Sequence, residues 1–258
     1  MKRRLAIVAA HPDDDTFGAS GTVALHAGDP GFHLTVVHVT SGDKGEIADP
    51  SLATPETLAA VREAEDRASW IALGYEPDRH AFLRYPDGGV TDVAFDELVD
   101  RIGEGLADTR PDVVVSFGPD GVTGHPDHVR TGEAATAAFH RLREAGGGGF
   151  DRLLYNVIPS SRLHWLSERL VERGLDPIDE SAPFQPRGVP DDDVAVTVDC
   201  GSVWRRKLAA LQEHKTQGGA SGFPEDLVSD ILGHEHFAMA WPARDEGATM
   251  LGDVFEGL

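Results

Sequence analysis

The chain has 258 residues, enough for one large α/β domain whose core needs no covalent staple. Hydrophobic residues make up 40% and charged residues 26%, which excludes a disordered or fibrous chain. The formal net charge is −21, with Lys2, Lys44, Lys207 and Lys215 the only lysines. Such a surface repels nucleic acid and anionic membranes, so a neutral or weakly charged small molecule is the expected partner.

No apolar run approaches the ~18 residues of a membrane span. After Met1-Lys2-Arg3-Arg4 the apolar stretch Leu5–Ala10 ends at His11, short of a signal-peptide core, so a cytoplasmic location without membrane insertion is expected. Cys200 is the only cysteine. An intrachain disulfide and a thiolate-rich metal site are excluded, and any metal must take histidine and carboxylate ligands.

In chain order, Leu5–Ala10, Val36–Val39 (interrupted by His38) and Val113–Val115 read as strands buried on both faces of a parallel sheet. Between them, Leu58, Val61, Glu65, Ala68 and Ala72 follow Thr54-Pro55, and Phe95, Leu98, Ile102 and Leu106 follow Thr91-Asp92, at helical spacing. A helix is expected from Pro126 toward Arg143, a glycine loop at 146–149, and a strand at Leu153–Ile158. Arg162–Arg173 and Val203–His214 read as helices and Val194–Val198 as a strand, with Asp191-Asp192-Asp193 a solvated turn before it. The alternation implies right-handed crossovers and a Rossmann-like, doubly wound, mostly parallel sheet with helices on both faces. No linker divides the chain, so residues 1–258 are expected to form a single domain whose part beyond about residue 150 extends or covers the site.

Ligands of such sheets bind beyond the carboxyl ends of the strands. The first strand ends there in His11-Pro12-Asp13-Asp14-Asp15, and the Val113–Phe117 strand in a loop running to Gly124-His125-Pro126-Asp127-His128. Each motif alone also fits a helix start, with Asp13 or Asp14 as cap. Together, across a topological switch point, they offer His11, Asp14 and His128 as two imidazoles and one carboxylate, a hydrolytic zinc pattern with a position left for water. Asp13 is then placed to take a proton from that water, His125 to act as general acid, and Asp127 to orient His125.

The pair A-H-P-D-D and G-H-P-D-H resembles the signature of the LmbE-like, or PIG-L, family of zinc deacetylases. Similarity runs through Thr40-Ser41-Gly42, Arg62 with Glu65, Leu73-Gly74, Pro111–Thr131 and Lys207 with His214-Lys215-Thr216-Gln217. The family removes the acetyl group from N-acetylglucosamine conjugates, and the resemblance implies one zinc on a Rossmann-like fold. By motif position it puts the metal on His11, Asp14 and His128, the base on Asp13, the acid on His125 and its partner on Asp127. It also points to Arg62 and Asp87 as holders of sugar hydroxyls. Two positions depart from the family: Thr123 stands where some members carry an aromatic residue before the acid histidine, and Asp15 where glutamate is frequent.

The expected activity is therefore metal-dependent hydrolysis of an N-acyl, in particular N-acetyl, group on an N-acetylglucosamine-type conjugate, with zinc or iron(II) suiting the ligands. A metal hydrolase of another amide, such as an acylated antibiotic, and a non-catalytic sugar-binding module of the same fold are the alternatives. The sequence leaves a homo-oligomer open. His234-Glu235-His236 resembles a metal motif but is more simply solvated or structural, Gly42–Gly45 lacks Walker spacing, and His214 reads equally as a helix-end residue.

Overall fold

The structure, a computed structural model, describes residues 3–220, 222–245 and 247–258. The apolar runs and amphipathic stretches alternate as β1 (Arg3–Ala9), α1 (Asp14–His26), β2 (Phe32–Thr40), α2 (Leu58–Leu73), β3 (Arg79–Tyr85), α3 (Phe95–Ala107), β4 (Val113–Phe117), the short α4 (Gly121–Gly124), α5 (Pro126–Glu144) and β5 (Arg152–Asn156). The later part adds β6 (Ile158–Pro159), α6 (Ser160–Glu172), β7 (Gly188–Val189), β8 (Val194–Asp199), α7 (Trp204–Leu211), α8 (Val228–Leu232) and β9 (His234–Trp241).

The main sheet has seven strands in the order β3-β2-β1-β4-β5-β9-β8. The first five are parallel, while β9 and β8 are added antiparallel. Because strand side chains alternate between faces, Leu5 and Ile7 pack into one layer with Val23, Trp70 and Ala210. Ala6 and Val8 pack into the other with Ile102, Ala134 and Phe139. Thus α1, α2 and α7 cover one face and α3 and α5 the other, the expected doubly wound arrangement.

Two strands of the main sheet were not foreseen. Arg79–Tyr85 carries arginines and a histidine because β3 lies at the sheet edge and is only partly buried. Strand β9 begins with His234-Glu235-His236, whose polarity hid it; as a strand it aligns the two histidine rings 6.1 Å apart. Cys200 is a free, buried thiol. Among the described residues no helix is long and apolar enough to cross a membrane.

The chain runs from β1 outward to β2 and β3, then returns to lay β4 on the opposite side of β1. The switch point therefore falls between β1 and β4, and the two loops carrying the His-Pro-Asp motifs face one crevice.

Candidate metal and active site

Asp13 occupies the N-cap position of α1 but makes no capping hydrogen bond, so helix capping does not explain the motif. Its φ of 125° is rare for a residue with a Cβ and is tolerated where surrounding contacts over-determine it. Those contacts come from Arg62 on α2, which is buried. Its guanidinium donates to the Pro12 carbonyl at 2.7 Å, the Gly42 carbonyl at 3.1 Å and Asp13 Oδ2 at 3.3 Å. At the next residue, Asp14 Oδ2 accepts the His11 backbone N–H at 2.8 Å, which folds the Asp14 carboxylate back toward the His11 ring.

The β4 loop is set by α5, whose first residue is Pro126 and whose N-cap is His125. Helix α5 lies so close to β4 that a side chain at Gly132 would collide with the Phe117 carbonyl. This seats the first turn, with His125 and His128, beside β1.

His11 Nδ1 and His128 Nε2 lie 3.2 Å apart, with Asp14 Oδ2 3.4 Å from the former and Asp14 Oδ1 3.4 Å from the latter. The opposite ring nitrogens face groups that only accept. His11 Nε2 lies 3.0 Å from Asp87 Oδ1 and 3.4 Å from Asp127 Oδ2, and His128 Nδ1 lies 3.0 Å from the Gly121 carbonyl. Each ring therefore carries a hydrogen on the outer nitrogen and turns the inner lone pair toward the other ring and Asp14. Two lone pairs and a carboxylate at van der Waals separation repel unless a cation or a proton lies between them. The donor set suits zinc or iron(II), and carboxylates behind a ligating imidazole are the usual outer support.

Burial opposes charge on His11, but Asp127, Asp14 and Asp87 overcome it and raise its pKa; protons and a metal thus compete for Nδ1. Asp14 is pulled the other way: His128 and His11 outweigh its burial and lower its pKa. Burial pushes Asp13 up to about 7, with Arg62 opposing and Asp14 adding to the rise.

His125 also approaches this centre, one ring nitrogen of His11, His125 and His128 each lying within 4.8 Å of the others. Its Nδ1, however, accepts the Asp127 backbone N–H at 3.1 Å, so the neutral ring bears its hydrogen on Nε2 and is a donor there, not a ligand. Burial, then the charges of His11 and His128, lower its pKa.

Three sequence-based assignments take different places. The Asp127 carboxylate does not orient the His125 ring; it accepts the Gly88 and Val90 amides at 2.7 and 3.2 Å and faces His11. Asp87 likewise stands behind His11 and accepts the Lys44 amide at 3.1 Å. Arg62 directs its terminal nitrogens at protein acceptors and so braces Asp13. For Asp87 and Asp127 the reason is that the YPDGGV loop at 85–90 folds under the His11 ring, which no spacing in the sequence discloses. Thr123 points its hydroxyl at His128 Nδ1, 3.5 Å away, and His214 is buried with Nε2 3.1 Å from Thr16 Oγ1.

Beside Asp14 and His128 opens a cavity of about 440 Å³ whose walls include Phe17, Phe117, Trp165, Leu166 and Phe223, with Asn156, Arg162 and His236 among the polar members. Residues of the later elements, among them Trp165, Leu166, Ile231 and His236, line it as well. Sequence reasoning missed the ion pair at its floor, Lys207 Nζ to Glu235 Oε1 at 2.6 Å. Glu235 also accepts the Gly21 and Thr22 amides of α1 at 2.7 and 2.8 Å. The signal was present, since Lys207 is one of four lysines and falls in a stretch of helical pattern.

A doubly wound α/β sheet with two histidines and a carboxylate gathered at its switch point is an arrangement that metal hydrolases use. The family model described as PIG-L, GlcNAc-PI de-N-acetylase, matches residues 6–139, and the chain belongs to that family of deacetylases. It is 34% identical over 287 residues, covering 98% of this chain and 100% of the relative, to a 1D-myo-inositol 2-acetamido-2-deoxy-alpha-D-glucopyranoside deacetylase of Saccharomonospora viridis. Among solved structures it is similar to the N,N'-diacetylchitobiose deacetylase from Pyrococcus horikoshii, with TM-score 0.60, 23% identity and coverage of 92% of this chain and 83% of that one. The fold is also shared with the 4-carboxy-2-hydroxymuconate hydratase of Pseudomonas putida, with TM-score 0.63, 17% identity and coverage of 96% and 100%.

Proposed function

We propose that the protein is a divalent-cation-dependent deacetylase that hydrolyses the N-acetyl group of an N-acetylglucosamine conjugate, releasing acetate and the free amine. The observation that carries this reading is the approach of His11 Nδ1 and His128 Nε2, 3.2 Å apart and flanked by Asp14. The substrate of its relative in Saccharomonospora viridis, an inositol-linked 2-acetamido sugar, supports the sugar class. The chain works as one domain in this reading, since β8 and β9 complete the sheet begun by β1–β5. A free buried thiol suits a reducing, cytoplasmic setting.

His11, Asp14 and His128 hold the cation, zinc or iron(II), which when bound polarises the amide carbonyl and acidifies the attacking water. Asp13, braced by Arg62, takes a proton from that water as its oxygen adds to the carbonyl carbon. His125 hydrogen-bonds from Nε2 to the oxygen that becomes negative and stays neutral throughout, while the proton that Asp13 took from the water passes to the amine nitrogen as the C–N bond breaks. Asp127 and Asp87 keep the His11 ring in the tautomer that leaves Nδ1 free. The apolar chamber beside Asp14 receives the part of the substrate that does not react.

The test is acetate release, followed by mass spectrometry of the amine, across N-acetylglucosaminyl-inositol, diacetylchitobiose and simple alkyl glycosides, with zinc- and iron-loaded protein. Turnover of at least one sugar conjugate that vanishes in H128A is expected; a folded, metal-loaded protein inert on all of them overturns the sugar reading. The apolar chamber walls favour one second reading, hydrolysis of an acylated non-sugar amide, so lipophilic N-acyl amines belong in the same panel.

A further inference from the structure

A second cluster of ligand-type side chains lies outside the reaction centre, between α1, β2, α2 and β3. His38, Asp66 and His80 each offer one nitrogen or oxygen within 4.8 Å of the others, and Asp15 Oδ1 lies 3.3 Å from His38 Nε2. Asp66 faces both rings, at 3.6 Å from His38 Nε2 and 2.8 Å from His80 Nε2. Asp15, His38 and Asp66 are fully buried. Phe82 stacks on His38 and lies tilted against His80, at 4.9 and 4.7 Å between ring centres.

These atoms are close, yet they are not aligned as hydrogen bonds. Asp15 Oδ1, both oxygens of Asp66, both ring nitrogens of His38 and Nε2 of His80 have no hydrogen-bond partner within the protein. Buried polar atoms are nearly always paired, and buried carboxylates require a compensating charge. Convergence without hydrogen-bond alignment is what ligands around an ion show, because lone pairs then point to a common centre and not to one another. Two neutral imidazoles and two carboxylates sum to −2, which one divalent ion balances.

We propose that His38, Asp66 and His80, with the Asp15 carboxylate 3.3 Å from His38 as their charge partner, form a second, structural site for a divalent cation of the zinc class. Two imidazoles and a carboxylate are ligand types that such an ion takes, and Asp15 supplies the second negative charge. The ion ties the first turn of α1 to β2, α2 and β3. That turn carries Asp13 and Asp14, so the second ion holds the reaction centre in place without touching substrate. Trp70 Nε1 donates to Asp15 Oδ2 at 2.9 Å and fixes its remaining oxygen.

The test uses the full chain, stripped with a chelator, reloaded with Zn²⁺, gel-filtered and analysed for metal content, with circular dichroism to confirm folding. The wild type is expected to retain two ions per chain. D14N/H128A, which loses the reaction-centre ligands, is expected to retain one, and H80Q, altered at the cluster's partly exposed rim, also one. D14N/H80Q/H128A is expected to retain none. Zinc is expected to raise the melting temperature of D14N/H128A but not of the triple variant. A folded D14N/H128A that binds no zinc overturns the proposal, and so does equal binding by D14N/H128A and the triple variant. If D14N/H128A does not fold, the comparison of wild type with H80Q decides alone: equal stoichiometry overturns the second site.

Discussion

Replacing Asp13 by asparagine separates proton transfer from metal binding. The Asp13 side chain keeps about a fifth of its surface open, 20%, so water reaches it, whereas the three proposed ligands are different residues. An amide of the same shape preserves the Arg62 contact to the Pro12 carbonyl and leaves His11, Asp14 and His128 in place. Loss of a positioned general base lowers the chemical step by about 10²–10⁴, equivalent to about 3–5 kcal/mol in the barrier. The pH profile gives a sharper sign. A base acts when ionised, so the rate of the wild type rises as pH climbs through the Asp13 pKa. Burial sets that value at about 7 in the metal-free protein, and a nearby dication stabilises the carboxylate and moves the acidic limb below 7. In D13N the limb attributable to Asp13 disappears. Initial rates of acetate release between pH 5 and 9, with metal content measured on the same samples, are the assay. A D13N protein with full metal that retains more than about a tenth of wild-type kcat, or an unchanged acidic limb, refutes the assignment of Asp13 as base.

Arg62→Met removes the cation that opposes the rise of the Asp13 pKa; the acidic limb is expected to move upward by about one pH unit, with more activity lost at pH 6 than at pH 8, and an unmoved limb contradicts the bracing role. Lys207→Met leaves the buried Glu235 carboxylate without its ion-pair partner, side chains that are 3% and 2% exposed. Glu235 keeps its α1 donors, so the cost falls at the low end of about 3–5 kcal/mol, a melting-temperature drop of roughly 6–12 °C by calorimetry, and a drop under about 2 °C speaks against it. Gly132→Ala places a Cβ against the Phe117 carbonyl; α5 must shift from β4, costing about 1–3 kcal/mol, and zinc affinity falls because His128 moves with it.

The fold was legible where burial on both faces leaves an unbroken apolar run. Leu5–Ala10, Val36–Val39 and Val113–Val115 identify β1, β2 and β4, and the switch between β1 and β4 follows from their order. Edge position conceals β3, and the paired histidines around Glu235 conceal β9, because their polarity serves neighbours that only the folded chain supplies. That His11, Asp14 and His128 meet in one place was readable from two motifs beyond two strands. The work of Asp127 and Asp87 was not, since both act on His11 through a loop from a distant part of the chain. His38 was the visible anomaly, an ionisable ring inside a buried strand, and its partners lie on the next helix, Asp66, and on the strand beyond it, His80. Spacing arguments reach one element at a time; groups that meet from four elements escape them.

The most direct measurement is anomalous diffraction at the zinc edge from zinc-loaded crystals of the full chain. The expected result is an ion between β1 and β4, bonded at about 2.0–2.2 Å to His11 Nδ1, His128 Nε2 and an Asp14 oxygen. Zinc bound elsewhere, with His11 and His128 carrying no ion between them, contradicts the account at its foundation.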